Sequence, residues 1–195
     1  MKYVSLIGAL IMLISCVYGA REIFKGRVRP NLVSYVIWTS TPLIASFAAM
    51  SKGITWSYLP TLMAGLGVLI LFISAIIKKG AFFKVYSYDI ACGIVSILAL
   101  IIWYITKNPI TAIALSIIGD IMASLPTGIK SWKFPETESP LAYFGYAIAS
   151  WTGVVAIEIW NFSEASFPLY LALANTIMWL IIIRKKLPLY YMNVT

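Results

Sequence analysis

Long apolar runs separated by short, cation-bearing breaks constrain the fold of this chain more than any other feature. A helix needs about 20 apolar residues to cross the hydrocarbon core of a bilayer, and only a helix satisfies its own backbone there as a single segment. Such runs predict an all-α membrane protein with seven transmembrane helices in a single membrane domain, residues 1–195. The predicted spans are Tyr3–Ala20, Asn31–Met50, Ser57–Ile77, Tyr88–Ile105, Thr111–Gly128, Leu141–Trp160 and Phe167–Ile183.

Composition excludes a soluble globule. Of the 195 residues, 61% are hydrophobic and 11% charged, whereas a soluble domain carries roughly 45–50% apolar and about 25% charged residues. The net charge of +8 does not indicate nucleic acid, because the cations lie in short clusters between apolar runs and not along one face. The lipid bilayer, and not nucleic acid, is the expected macromolecular environment.

The cations also predict the orientation, since Lys and Arg are retained on the cytoplasmic side of a membrane. Twelve of the fifteen lie in the first, third and fifth connections or after the last run, and only Lys2, Lys52 and Lys107 lie on the other side. This pattern predicts an outside N-terminus and a cytoplasmic C-terminus in the cell membrane. Because the cations follow the run Met1–Ala20 and do not precede it, we interpret this run as an uncleaved first helix.

An internal repeat organises the predicted helices. When the chain is slid along itself, Ile23–Lys25 falls on Ser131–Lys133, and a slide one position longer brings Tyr35 onto Phe144. Three crossings reverse the chain, so one unpaired crossing is needed for the second copy to insert in the same orientation. The prediction is therefore a 3+1+3 arrangement of parallel repeats. Its parts are a first triple-helix repeat (1–79), a linker helix (80–107), a second repeat (108–186) and a C-terminal tail (187–195).

The segment Leu125–Lys133, followed by the polar turn Pro135–Ser139, resembles the SWEET sugar transporters and the wider PQ-loop group. The 3+1+3 order and the outside N-terminus agree with that family. The resemblance implies alternating access around a mid-membrane site that binds a sugar-like solute. It also implies that Pro126 is a hinge, that Asn175 matches one of two sugar-binding asparagines, and that Trp151 approximates a pocket tryptophan.

Polar residues at mid-membrane depth need either a partner or a function. Asp120 is interpreted as a proton or cation site, or as an acceptor for substrate hydroxyls, or as a carboxyl that joins two helices. Asn175 has two interpretations: its amide binds a ligand hydroxyl, or it joins two helices. Trp151 either stacks on a solute or fills the core. The remaining candidates are Thr39 and Thr152 as substrate-binding residues and Pro42 as a second hinge.

Three classes of function compete. The first is a transporter of a small polar solute, with a proton-coupled carrier of an amino acid or vitamin precursor through Asp120 as the alternative. The second is a seven-helix receptor that does not transport. The third, an enzyme, is disfavoured because the chain has no His and shows no paired mid-membrane carboxylates or metal-ligand cluster. We expect no cofactor and no metal. Since both repeats lie in one chain, either a monomer or a homodimer fits.

Overall fold

The chain folds into a bundle of α-helices in the computed structural model, which describes residues 1–54, 56–106 and 108–184. Within these ranges there are seven α-helices, one 3₁₀ turn at Pro135–Thr137, and no strand. The predicted tail 187–195 and the cations Lys107, Lys185 and Lys186 lie outside the described residues. The helices are α1 (Lys2–Phe24), α2 (Leu32–Met50), α3 (Leu59–Ile77), α4 (Ser87–Thr106), α5 (Pro109–Lys133), α6 (Pro140–Val155) and α7 (Phe162–Ile183).

Five of these helices, α1, α2, α3, α5 and α7, are long and apolar enough to cross a membrane. α4 is apolar over Ser87–Leu98. α6 has 16 residues, which at 1.5 Å per residue gives about 24 Å, less than the hydrocarbon core of about 30 Å. The helical fold is therefore confirmed for the described residues, and these helices are compatible with a multi-pass membrane protein. The seven-fold crossing stays a prediction.

The predicted end of the sixth span was wrong. α6 ends at Val155 and not at Trp160, because the following backbone turns to meet a carboxylate. Glu164 accepts hydrogen bonds from the backbone N–H groups of Glu158 at 2.8 Å and Ile159 at 3.0 Å. These bonds satisfy donors that would otherwise continue the helix.

α7 begins at Phe162, well before the predicted start at Phe167. Asn161 caps it, since its Oδ1 accepts from the backbone N–H of Glu164 at 3.0 Å. Pro168 therefore lies inside α7. α5 likewise continues through Pro126 to Lys133, beyond the predicted end at Gly128.

Helix packing follows the same pattern in α1–α3 and in α5–α7, which we call the first and second triplets. The third helix of each triplet packs against both of the others: α3 on α1 and α2, and α7 on α5 and α6. Between the triplets, α1 packs on α6 and α2 packs on α5. α4 packs mainly on α5, at the outside of this arrangement.

The connections meet at two ends of the bundle. At the end that carries most of the cations, the backbone N–H of Arg29 donates to the carbonyl of Thr137 at 3.0 Å, and that of Phe83 donates to Pro30 at 2.8 Å. At the opposite end, the Tyr58 hydroxyl donates to the carbonyl of Ser163 at 2.8 Å. The two triplets therefore contact each other at both ends of the bundle.

Candidate functional site

A cavity of about 60 Å³ lies between the two triplets. Since a water molecule needs about 10–15 Å³ on this measure, the cavity has room for only a few waters. Side chains from α1, α2 and α3 line one part and side chains from α5, α6 and α7 line the other, whereas the described residues of α4 contribute none. The polar and aromatic lining residues are Tyr35, Trp38, Asp120, Ser124, Tyr143, Tyr146 and Asn175.

Asp120 is the one carboxylate among the described lining residues. It is 3% exposed, and each of its oxygens accepts a hydrogen bond. Thr41 Oγ1 donates to Oδ1 at 2.5 Å, and the Tyr170 hydroxyl donates to Oδ2 at 2.7 Å. The described Lys and Arg side chains form ion pairs with Glu22 and Glu138 and none with Asp120. Its partners are therefore neutral hydroxyls.

Asp120 belongs to a ladder of hydrogen bonds between α2 and α5. Ser34 Oγ donates to the carbonyl of Ala123 at 2.6 Å and accepts from Thr127 Oγ1 at 2.8 Å. Trp38 Nε1 donates to Ser124 Oγ at 3.1 Å. Because residue numbers rise along α2 as they fall along α5, the two helices are antiparallel.

At the cation-rich end, the ladder finishes in a buried ion pair. Lys130 Nζ lies 2.5 Å from Glu138 Oε1, with both side chains 2% exposed, and it also donates to the carbonyl of Arg29 at 2.6 Å. The Arg29 contact joins α5 to the loop before α2. Both acceptors are needed, since a buried ammonium carries three donors.

Asn175 is half-buried at the cavity wall, and its amide Nδ2 donates to Ser150 Oγ at 3.0 Å. Ser150 in turn donates to the carbonyl of Tyr146 at 2.8 Å. Asn175 therefore joins α7 to α6 within the second triplet while it lines the cavity.

Of the predicted site residues, Asp120, Asn175 and Pro42 line the cavity, and four do not. Trp151 is 40% exposed, and its Nε1 donates to Thr176 at 3.1 Å. Thr39 and Thr152 donate to the carbonyls of their own helices, Tyr35 and Ala149. Pro126 is buried within α5.

Sequence reasoning missed the aromatic lining, Tyr35, Trp38, Tyr143 and Tyr146. The signal was present, because each pair is spaced i, i+3 on its helix. The slide that places Lys25 on Lys133, which we call the repeat offset, also places the first pair on the second. The structure therefore puts Tyr143, and not Phe144, in the place that corresponds to Tyr35. Phe144 instead packs against Trp179, with ring centroids 5.1 Å apart.

The same relation extends to most of the lining. Fourteen of the sixteen described lining residues form pairs at the repeat offset or one position short of it, and Pro42 and Ala174 are the other two. The pairs at the repeat offset are Met12 with Asp120, Cys16 with Ser124, Tyr35 with Tyr143 and Trp38 with Tyr146. The pairs one position short of it are Ala64 with Leu171, Val68 with Asn175 and Leu71 with Met178.

No family model matches the chain, and neither a curated protein nor a solved structure matches it. The resemblance to the SWEET and PQ-loop group therefore stays a prediction.

Proposed function

We propose that this chain is a membrane transporter that moves a small solute through the cavity between its two triplets by alternating access. The paired lining of the cavity is the observation that carries this proposal. Residues from both triplets reach one central space at a nearly constant offset, as expected for two copies of one unit arranged about an axis through the cavity. Solute sites of repeat transporters lie near the bilayer midplane, between the repeats.

The paired lining supports the repeat boundaries as well. Residues 1–79 and 108–186 form the two repeats, and α4, within 80–107, is the linker helix that restores the orientation of the second copy. Seven crossings follow, with the N-terminus outside and the cation-rich connections in the cytoplasm. In this account the short α6 crosses a locally thinner part of the bilayer, a mismatch of modest energetic cost.

Separate sets of contacts hold the two triplets together at the two ends of the bundle, and each set closes the cavity from one side of the membrane. On the outer side, Ser57 donates to Glu164 at 3.2 Å and Tyr58 donates to Ser163. On the cytoplasmic side, Lys130 holds Arg29 beside Glu138. Since each set joins a loop of the first triplet to a helix of the second, Ser57 and Tyr58 to α7 and Arg29 to α5, a rotation of one triplet against the other breaks one set while the other stays intact.

Proline residues support such a motion. Pro42 and Pro126 lie inside α2 and α5, and a proline within a helix removes one backbone hydrogen bond and weakens the helix at that point. The two helices pack against each other across the triplets. We therefore retain both prolines as hinges, with Pro42 beside the cavity.

A flux assay tests transport before the solute is known. Liposomes containing the protein are loaded with a defined panel of small sugars, amino acids, amines and alcohols, and the efflux of each solute is followed by mass spectrometry. We expect at least one solute to leave faster than from protein-free liposomes, at a rate that saturates with its concentration. If every solute leaves at the protein-free rate, or only with a linear dependence on concentration, a carrier is contradicted.

A further inference from the structure

The Asp120 carboxylate has acceptor capacity that the protein does not use. An ionised carboxylate has about four lone-pair sites, and Thr41 and Tyr170 occupy one on each oxygen. Asp120 forms no ion pair with the described Lys and Arg residues. An ionisable group at this depth calls for a named partner, and since Asp120 lines the cavity, a bound solute can be that partner.

Aromatic side chains line the same cavity from both triplets. Tyr35 and Trp38 on α2 have ring centroids 6.0 Å apart, and Tyr143 and Tyr146 on α6 have centroids 5.4 Å apart. The faces of such rings carry partial negative charge and attract cations, most strongly when the cation has lost its water. A carboxylate and four rings around one cavity therefore favour positive charge.

Two other polar groups of the lining already have partners. Ser124 Oγ accepts from Trp38, and Asn175 Nδ2 donates to Ser150. A sugar needs a separate partner for each of several hydroxyls, because a buried hydroxyl without one is unfavourable. A cavity of about 60 Å³ fits a compact solute with one charge better than a larger polyhydroxylated one.

We infer that the transported solute is a small organic cation, an amine or a quaternary ammonium ion, held between the Asp120 carboxylate and the rings of Tyr35, Trp38, Tyr143 and Tyr146. This inference rests on the proposed transport function and names its class of substrate. It assigns the selectivity for charge to the second triplet, which supplies Asp120, and assigns the aromatic wall to both triplets.

Two probes of the same shape isolate the charge. Choline and 3,3-dimethyl-1-butanol differ in a quaternary nitrogen against a quaternary carbon, so they share size and hydroxyl group. Binding to the purified protein is measured from the rise in melting temperature with ligand concentration, which follows from mass action. We expect choline to bind at least about tenfold more tightly than the neutral alcohol. Equal affinities, or a preference for the alcohol, would overturn the inference.

Matched variants locate the bound charge. Asp120→Asn keeps the size of the side chain and removes its charge, so we expect choline affinity to fall at least about tenfold. Asp89→Asn is the control, since Asp89 lies at the start of α4 and accepts from the backbone N–H of Tyr86 at 2.7 Å. Unchanged choline affinity in Asp120→Asn, or an equal loss in both variants, would contradict the assignment of the charge to Asp120.

The aromatic wall has its own pair of variants, which keeps the inference testable if Asp120→Asn does not fold. Trp38→Leu removes a ring from the cavity, and we expect choline affinity to fall about two- to fivefold. Trp160→Leu is the control because Trp160 is exposed and lies after α6. Affinities that fall equally in the two variants would contradict a cation held by this wall.

Failure of this inference is distinct from failure of the transport function. If the liposomes release a neutral or anionic solute by a saturable route and choline does not bind, the cation assignment falls and the transporter stands. If choline binds but no solute of the panel crosses the bilayer, the cation site stands and the carrier falls.

Discussion

The two main helix contacts between the triplets, α2 on α5 and α1 on α6, occupy equivalent places in the bundle but are built from different side chains. The α2/α5 contact is a ladder of hydrogen bonds through Ser34, Thr41, Asp120 and Thr127. At the repeat offset, the corresponding positions of α1/α6 hold Ala142, Ala149, Met12 and Gly19. One contact is joined by polar groups, and the other depends on close packing of small residues.

Close packing in α1/α6 is visible at its glycines. A Cβ placed on Gly8 would overlap the side chain of Thr152 and lie 3.1 Å from the carbonyl oxygen of Ala149. A Cβ on Gly145 would overlap Ser15. Small residues allow helix backbones to approach closely in membranes, where van der Waals packing drives association. The difference indicates that the α2/α5 contact is specified by hydrogen-bond partners and the α1/α6 contact by the shapes of the packed side chains.

This difference explains why the cavity is asymmetric. The second triplet lines it with Asp120, Ser124 and Asn175, and the paired positions of the first triplet hold Met12, Cys16 and Val68. The hydroxyl partners of Asp120 also lack counterparts, since Thr41 corresponds to Ala149. Hydroxyl partners for a carboxylate are therefore present at Asp120 and absent at the equivalent Met12.

The largest expected effect comes from placing a second carboxylate at Met12, the position in the first triplet that corresponds to Asp120. Met12→Asp buries a polar group opposite Ala149, where no hydroxyl corresponds to Thr41. We expect the variant to lose about 3 kcal/mol of stability, measured as a lower free energy of unfolding in detergent. Met12→Leu is the control, because a swap of similar volume costs less than about 1.5 kcal/mol. A stable Met12→Asp protein would mean that the two places are chemically alike.

A smaller effect is expected from a methyl group in the close-packed contact. Gly8→Ala pushes α1 away from the backbone of α6, so we expect a loss of about 1–3 kcal/mol in the free energy of unfolding. Gly128→Ala is the control, since its Cβ would meet only Met178, at 4.0 Å, and alanine favours a helix by up to about 1 kcal/mol. Equal stability of the two variants would show that α1/α6 does not depend on shape.

The smallest effect is expected from removing one of the hydrogen-bonding side chains that join α2 to α5. Ser34→Ala leaves the Thr127 hydroxyl and the Ala123 carbonyl without this partner, and we expect a loss of about 0.6–1.7 kcal/mol, the range for hydrogen bonds between membrane helices. Ser40→Ala is the control, because Ser40 bonds the carbonyl of Val36 in its own helix. A loss as large in Ser40→Ala would contradict a ladder that joins the two helices.

Sequence alone predicted each helix and two of the polar groups of the cavity. Depth in an apolar run is readable from the chain, and this was enough to select Asp120 and Asn175, both of which line the cavity. The end of α6 was not readable, because the segment from Val154 to Trp160 is apolar apart from Glu158, and the turn depends on Glu164 from the next helix.

Rotation about a helix axis was the other quantity that the sequence did not supply. A slide one position longer than the repeat offset placed Phe144 opposite Tyr35, whereas the cavity pairs Tyr35 with Tyr143. A shift of one position turns a helix side chain by about 100°, which is enough to exchange the lining face for an outward face. Trp151 was predicted to line the cavity and does not, for the same reason. The depth of a residue along a helix does not determine the direction in which its side chain points.

The most direct measurement of the central claim uses Cys16, which lines the cavity, and Cys92 on α4, which does not. Proteins with one cysteine each, Cys92→Ser and Cys16→Ser, are placed in sealed vesicles, and a membrane-impermeant methanethiosulfonate reagent is applied from one side at a time. We predict that Cys16 reacts from either side and that a saturating transported solute slows both reactions, with no slowing at Cys92. Reaction of Cys16 from one side only, or from neither, would contradict a cavity that opens to both sides in turn.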